Sequence, residues 1–241
     1  MLRLIGESLD LSGPSSIVVW AGLILAFFFL LRCSEYCEDP TKALRVGDAQ
    51  FSCNGISQTG GRGADGVLIC IKDSKTDQGG QGAQLTAYST GDILCPVTVA
   101  AKVVEMRRSM GATDEEPLLV WSGNAILKRA MVTDVLRWAA TELGQEEALY
   151  ASHSLRIGGA STMLACGFSE EDIRRLGRWQ SFCWRRYAHN TGEKMKGVSS
   201  AVARSTYTVM TAGQDFLARR RECGGGTASG PGGKARAGVA K

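Results

Sequence analysis

The chain has 241 residues, enough for one large domain or two small ones, and its net charge of +4 is unevenly distributed. Residues 1–171 carry 14 Lys and Arg against 20 Asp and Glu, residues 172–222 carry 11 against 4, and residues 223–241 carry three basic residues and no acid. Hydrophobic residues at 44% and charged residues at 22% exclude a wholly disordered or fibrous chain. The basic C-terminal third indicates a polyanionic partner.

The first predicted element is an apolar helix from Ser15 to Arg32, preceded by a frayed lead-in over residues 1–14. Its centre, Ile17 to Leu31, is 15 residues without a charge, whereas a membrane span needs about 20. The basic n-region and the small-residue cleavage site of a signal peptide are also missing. We therefore expect a core helix, with a membrane-tethered protein spanned by residues 17–31 as the alternative.

A small antiparallel sheet is predicted after a short helical or irregular stretch that ends at Pro40. Three runs with strand character, Leu44–Phe51, Val67–Lys72 and Gln84–Tyr88, are separated by polar, Gly-rich segments. The first of these segments, residues 54–66, is interpreted as a link without regular structure.

The rest of the chain is predicted to be helical up to a disordered, Gly-rich, basic tail over residues 223–241. The helices are expected at Pro96–Met110, Ala125–Leu143, His153–Cys166, Ser169–Leu176, Phe182–His189 and Val198–Arg221. The fold class is therefore α+β, mainly α, with the small sheet inserted early.

The eight cysteines include no C-x-x-C pair, and the chain has only two histidines. A Cys/His zinc cluster would need distant parts of the chain, so we expect no structural metal. Free thiols in apolar runs are typical of a reducing, intracellular compartment.

The segment from residue 153 to residue 189 contains the residues most suited to chemistry. His153 and Arg156 lie on one face of a predicted helix and can converge on one anion. Downstream, L-G-R-W-Q-S and W-R-R-Y-A-H place Tyr187 among arginines. A phenol with a reference pKa of about 10 is a poor nucleophile at neutral pH, and nearby cations stabilise its phenolate. A satisfied histidine and an ordinary packed aromatic are the alternatives for these residues taken singly.

Two further candidates lie upstream. Arg32 is predicted to end the apolar helix, with Glu35 one turn on, and Lys75 lies in the turn K-D-S-K-T-D-Q. An arginine fixed at the end of a buried helix suits a charge that must keep its position. Taken alone, Arg32 could equally be a snorkelling side chain and Lys75 a solvated turn residue.

Together these residues resemble the catalytic domain of the tyrosine recombinases, the phage-integrase family. L-L-R-C-S-E resembles the family's glR-x-x-E box, S-K-T-D-Q its lysine hairpin, H-S-L-R-I-G-G-A-S its H-x-L-R box, and L-G-R-W-Q-S-F-C-W-R-R-Y its nucleophile box. The G-R-W and S-K-T-D-Q forms look most like eukaryotic mobile elements of the crypton or DIRS type. The resemblance covers residues 15–190 and implies the tyrosine-recombinase catalytic fold.

The resemblance also implies a division into domains. Residues 15–192 are expected to form the catalytic domain, residues 193–222 a C-terminal helical segment and residues 223–241 the tail. Residues 1–14 then correspond to the lead-in, or to the remnant of a missing N-terminal domain that clamps DNA.

The chemistry that the resemblance implies is DNA strand cleavage and rejoining, as in site-specific recombination and DNA integration. Tyr187 would attack a backbone phosphate, form a 3′-phosphotyrosyl bond and release a 5′-hydroxyl. Arg32 and Arg156 would clamp the phosphate oxygens, Lys75 would act as general acid and His153 would assist proton transfer. Arginines take the place of Mg²⁺ in this chemistry, so no cofactor is expected.

One position departs from the family pattern. Nine residues before Tyr187, where the family has a second His or sometimes a Trp, this sequence has Arg178, followed by Trp179. Either could donate a hydrogen bond to a phosphate oxygen. Glu35 is expected to orient Arg32 or His153, with a surface or capping carboxylate as the alternative.

The implied partner is double-stranded DNA, with self-association on DNA and no membrane or small-molecule substrate. Phosphate contacts are expected from Arg174, Arg175, Arg185 and Arg186. The alternative is that these arginines form a solvated helix face. A catalytically degenerate, DNA-binding remnant of a mobile-element recombinase is the second hypothesis. The location would be intracellular, and nuclear for a eukaryotic protein.

Overall fold

The computed structural model describes residues 1–72, 82–122, 125–180 and Arg185. Their seven α-helices are α1 (Leu2–Ser8), α2 (Pro14–Phe28), α3 (Cys33–Tyr36), α4 (Pro96–Ser109), α5 (Arg129–Glu142), α6 (His153–Ala165) and α7 (Glu170–Leu176). Their four strands are β1 (Ala49–Cys53), β2 (Ile56–Gln58), β3 (Gly66–Ile71) and β4 (Ala83–Tyr88). Short 3₁₀ turns cover Val46–Asp48 and Glu147–Leu149. The described part of the chain is therefore mainly helical with one small sheet, as the sequence predicts.

Helix α2 is the centre of the hydrophobic core, as its uncharged sequence predicts. Every residue from Val18 to Ala26 is buried, and the helix packs against α4, α5 and α6. Its 15 residues span about 22 Å at 1.5 Å per residue, short of a bilayer core of about 30 Å. Within the described ranges, no helix combines the length and the apolar character needed to cross a membrane.

Two expectations about the start of the chain are wrong. The segment expected to be a frayed lead-in contains α1, because Ile5 is fully buried in the core and Gly6 lies against the ring of Trp20. Helix α2 ends at Phe28 instead of Arg32. The chain leaves α2 through Leu30, which has a left-handed backbone with φ of 48°, so Arg32 lies between α2 and α3.

The sheet is fully antiparallel, in the order β2-β1-β3-β4. Alternate residues of β3, Val67, Ile69 and Ile71, are buried in the core, and β3 packs against α4. Strands β3 and β4 confirm two of the predicted strands within one residue. The remaining predicted strand, Leu44–Phe51, begins five residues later than expected, because a 3₁₀ turn occupies residues 46–48.

Strand β2 was not predicted and lies inside the Gly-rich link. It follows β1 through a two-residue turn, Asn54-Gly55, with φ of 52° and 77°. Positive φ at both positions is typical of a type I′ hairpin turn, and Asn-Gly is the strongest sequence signal for that turn. The hairpin therefore follows from the Asn-Gly turn, a local signal that the Gly-rich composition of the link makes easy to overlook.

The later helices place the residues predicted to carry chemistry. Helix α4 begins with Pro96 in its first turn, as expected. Helix α5 begins at Arg129, four residues later than predicted, because residues 125–127 are extended and pair with residues 119–121. Helices α6 and α7 agree with the prediction within one residue at each end. The predicted helices over residues 182–189 and 198–221, and the tail over residues 223–241, lie outside the described residues.

Candidate active site

Arg32 and Glu35 form the first half of the site. Arg32 caps the N-terminus of α3, where its backbone N–H donates to Glu35 Oε2 at 2.7 Å and its Nη1 donates to Glu35 Oε1 at 2.9 Å. Glu35 is 2% exposed, whereas the Arg32 side chain keeps 21% of its surface exposed. The carboxylate therefore fixes the arginine from the interior and leaves it accessible from solvent.

Arg178 forms the second half, from the turn that follows α7. Its Nη2 donates to Glu35 Oε2 at 2.6 Å, and its side chain is only 8% exposed. Further hydrogen bonds run from its Nη atoms to the carbonyls of Phe29, Leu30 and Leu176, at 3.1–3.3 Å. Burial lowers the pKa of Arg178, and the Glu35 carboxylate opposes that shift. Arg178 thus joins the end of α7 to the segment between α2 and α3.

Arg156 crosses the same junction from α6. Its guanidinium donates to the carbonyls of Leu30 and Gly177 and lies 4.3 Å from the centroid of the Trp179 ring. The whole residue is only 2% exposed. A cation over an indole face is an attractive arrangement. Backbone carbonyls and an indole ring therefore hold this guanidinium from inside the protein.

His153, at the first position of α6, differs from the buried arginines because it is exposed. Partial desolvation lowers its pKa, and the positive charge of Arg156 acts in the same direction. The imidazole is therefore mainly neutral at pH 7, the form that accepts a proton.

Glycines permit the close packing at this junction. A Cβ on Gly177 would lie 1.7 Å from the Trp179 ring, and a Cβ on Gly159 would lie 2.3 Å from the carbonyl oxygen of Phe27. Gly159 therefore lets α6 approach the end of α2, and Gly177 lets the Trp179 ring lie against its own turn.

The described residues predicted to contact DNA lie along α7 and just beyond it. Arg174 is half-buried, Arg175 is exposed and pairs with Glu171 at 3.2 Å, and Arg185 is exposed and pairs with Glu170 at 3.1 Å. Exposed ion pairs contribute little, about 0–1 kcal/mol, so both can exchange a carboxylate for a phosphate.

Sequence reasoning missed the environment of Cys33 and the acceptor role of Leu30. The hydrogen bond from Cys37 lowers the pKa of Cys33 to about 6 against the opposing effect of burial, with further help from Ser152 and Arg129. The four-residue spacing of the two cysteines was the available signal. Nothing in the sequence marks Leu30, since leucine rarely adopts a left-handed backbone.

The structure thus unites four of the predicted residues, Arg32, Glu35, Arg156 and Arg178, at the contact between residues 29–35 and residues 176–179. Three guanidinium groups against one carboxylate leave a net charge of about +2, which favours binding of an anion such as a phosphate group. Among the described residues, no group of His, Cys, Asp and Glu could hold a metal ion. Tyr187, Lys75 and Arg186 lie outside the described residues.

A mainly helical domain with this small antiparallel sheet has the fold of the tyrosine recombinase catalytic domain. The XerH site-specific recombinase, solved with its palindromic difH substrate in a post-cleavage complex, superposes with a TM-score of 0.58 at 12% identity. The XerA recombinase superposes with a TM-score of 0.57 at 15% identity. At these identities the likeness shows the fold.

The comparisons also limit what can be transferred. The matched region covers 83% of this chain but 49% of XerH and 62% of XerA. The chain therefore spans about half the length of XerH. No protein-family model matches the sequence, and no curated protein sequence matches it.

Proposed function

We propose that this protein cleaves and rejoins DNA strands through a covalent 3′-phosphotyrosyl intermediate. The observation that carries the proposal is the cationic junction itself. Arg32 and Arg178 share the buried carboxylate of Glu35, and Arg156 and Arg178 share the carbonyl oxygen of Leu30. The three arginines come from separate parts of the chain, within a fold shared with site-specific recombinases. Preorganised arginines are suited to stabilising the negative charge that develops on a phosphate during the reaction.

In the proposed reaction, the Tyr187 oxygen forms a bond to a backbone phosphorus while the bond from phosphorus to the 5′-oxygen breaks. The phenol proton passes to a base, a role that suits the neutral imidazole of His153. Lys75 donates a proton to the leaving 5′-oxygen. Attack by a 5′-hydroxyl on the phosphotyrosine reverses these transfers and rejoins a strand without an external energy source. Arg32, which keeps an exposed edge, binds a non-bridging oxygen.

Covalent trapping tests the proposal. Purified protein is incubated with end-labelled, nicked duplex DNA of randomised sequence and denatured, and the label that remains with protein is measured. Wild type should form an adduct and Tyr187→Phe should form none. Tyr207→Phe makes the same substitution at another tyrosine of the C-terminal part and should leave the adduct intact. An adduct that survives in Tyr187→Phe would overturn the assignment of the nucleophile.

The burial of Arg156 favours a second candidate, a DNA-binding remnant that has lost turnover. At 2% exposure, this guanidinium contacts Leu30, Gly177 and Trp179 inside the protein, as a purely structural arginine would. A remnant would retain DNA on a filter in a salt-sensitive manner and give no adduct. Loss of both signals would contradict both candidates.

Three narrower statements accompany the proposal. The G-R-W and S-K-T-D-Q forms support an origin in a eukaryotic mobile element of the crypton or DIRS type, and hence a nuclear location. The substrate is double-stranded DNA, contacted by the arginines along and beyond α7. Self-association on that DNA is expected of a strand-exchange enzyme and is testable by sedimentation with and without duplex.

A further inference from the structure

Arg178 has an unfavourable backbone for a long side chain. Its φ is 55°, and Leu30, whose carbonyl oxygen lies 3.3 Å from Arg178 Nη2, has a φ of 48°. Glycine and asparagine tolerate this left-handed region, whereas other side chains are disfavoured there. Such positions persist only where the surrounding contacts hold them, and they concentrate at functional sites. The side chain of Arg178 must therefore contribute through its contacts.

Those contacts divide the two oxygens of Glu35 between two arginines. Arg178 Nη2 donates to Oε2, which also accepts from the Arg32 backbone N–H, and this leaves Oε1 for Arg32 Nη1. Arg32 Nη2 in turn lies 3.5 Å from the carbonyl oxygen of Arg178. Side chain and backbone of Arg178 therefore both bear on the position of the Arg32 guanidinium.

The same side chain fixes the segment that leads into Arg32. Its hydrogen bonds to the carbonyls of Phe29 and Leu30 attach that segment to the end of α7, while Arg156 attaches Leu30 to Gly177. The spacing between Arg32 and Arg156 thus depends on Arg178.

We infer that Arg178 is a positioning residue, which acts through Glu35 to hold the guanidinium of Arg32 in place. The sequence pattern instead suggests that Arg178 or Trp179 donates a hydrogen bond directly to the phosphate. The catalytic consequence rests on the proposed function, in which Arg32 binds a phosphate oxygen, but the positioning itself does not.

Three substitutions separate the side chain from the backbone. Arg178→Asn removes the guanidinium and tolerates the left-handed backbone, Arg178→Ala makes the same removal but retains the backbone strain, and Arg178→Lys keeps the charge without the two-pronged geometry. Each variant is first checked for folding by circular dichroism and thermal unfolding. If Arg178→Asn does not fold, Arg178→Lys provides both readouts, with a smaller expected effect.

The first readout does not depend on activity. The order parameter of the Arg32 Nε–Hε group is measured by ¹⁵N relaxation, with the signal assigned by its loss in Arg32→Lys. We expect a rigid value of about 0.85 in wild type and a fall towards about 0.6 or below in Arg178→Asn. An unchanged order parameter in Arg178→Asn would overturn the inference.

The second readout is the rate of adduct formation on nicked DNA. Misplacing a charge-stabilising group by about 1 Å costs roughly 100-fold, so kcat should fall by about that factor in Arg178→Asn with KM nearly unchanged. A rise in KM with unchanged kcat would mean that Arg178 contacts the DNA directly and would overturn the inference. If wild type forms no adduct, the proposed function fails, and the order parameter alone decides the positioning role.

Discussion

Two adjacent glycines of α6 lie against the end of α2, and replacing each with alanine should change stability in opposite directions. A Cβ on Gly158 would lie 3.6 Å from the nearest atom of the Phe27 ring, which is ordinary van der Waals contact. A Cβ on Gly159 would lie 2.3 Å from the Phe27 carbonyl oxygen and 2.5 Å from a methyl carbon of Leu30. The first site accepts a methyl group, and the second requires the backbone to move.

The two magnitudes follow from the same helix. Alanine in place of an interior helical glycine gains about 0.4–1 kcal/mol, because fewer unfolded conformations are lost on folding. Gly158→Ala should therefore raise the melting temperature by about 1–4 °C. At Gly159 an overpacking cost of about 1–3 kcal/mol outweighs that gain, and the melting temperature should fall by a few degrees.

Thermal unfolding followed by circular dichroism, at one scan rate and protein concentration, checks both values. Equal melting temperatures for the two variants would refute the close approach of α6 to residues 27–30. Because Arg156 reaches the Leu30 carbonyl across this contact, that result would also remove the basis for the geometry of the candidate site.

Three further predictions concern charge. Glu35→Ala should lower the free energy of unfolding, measured in urea, by about 3–5 kcal/mol, because it leaves Arg178 buried without its carboxylate. Glu171→Ala removes an exposed ion pair and should lower the free energy of unfolding by less than about 1 kcal/mol. Equal losses in the two variants would contradict the buried pair. The pKa of Cys33 is lowered to about 6, so the rate of its alkylation by iodoacetamide should be near maximal at pH 7. This rate should fall as the pH drops through about 6, and a rate that still rises steeply above pH 8 would contradict the lowered pKa. Arg175→Gln should reduce the slope of log affinity for duplex DNA against log salt by about 1, and an unchanged slope would exclude a phosphate contact there.

The elements that sequence alone predicts best are those whose fate depends on local pattern and burial. Helix α2 follows from its uncharged run, and α7 follows from Ser169, which caps its first turn, and from its acidic N-terminal residues. The errors lie where tertiary packing or a single turn decides. Apolarity continues beyond Phe28, yet the helix ends there, because Arg156 and Arg178 stabilise a left-handed Leu30 through its carbonyl.

Sequence predicts part of the junction but not its geometry. The motifs around Arg32 and Arg156 single out two residues that the structure places at one junction, and the catalytic roles given to them stay predictions. The motifs do not indicate that Arg156 is buried, because its acceptors are backbone carbonyls of Leu30 and Gly177, and the identity of a residue says little about where its carbonyl points. The accessible residues are consequently Arg32 and His153. The sequence does not distinguish their accessibility from that of Arg156.

An arginine at position 178 is compatible with this fold because Glu35 lies beside it. A second guanidinium next to Arg32 would be repulsive by itself. Burial and the charge of Arg32 lower the pKa of Arg178, and the shared carboxylate of Glu35 opposes both effects. The other candidate for a phosphate contact, Trp179, is 8% exposed and lies against Arg156. Both residues of the altered G-R-W box thus have their side chains in internal contacts. Arg178 and Trp179 therefore hold the junction together from inside, whereas Arg32 is partly exposed and His153 is exposed.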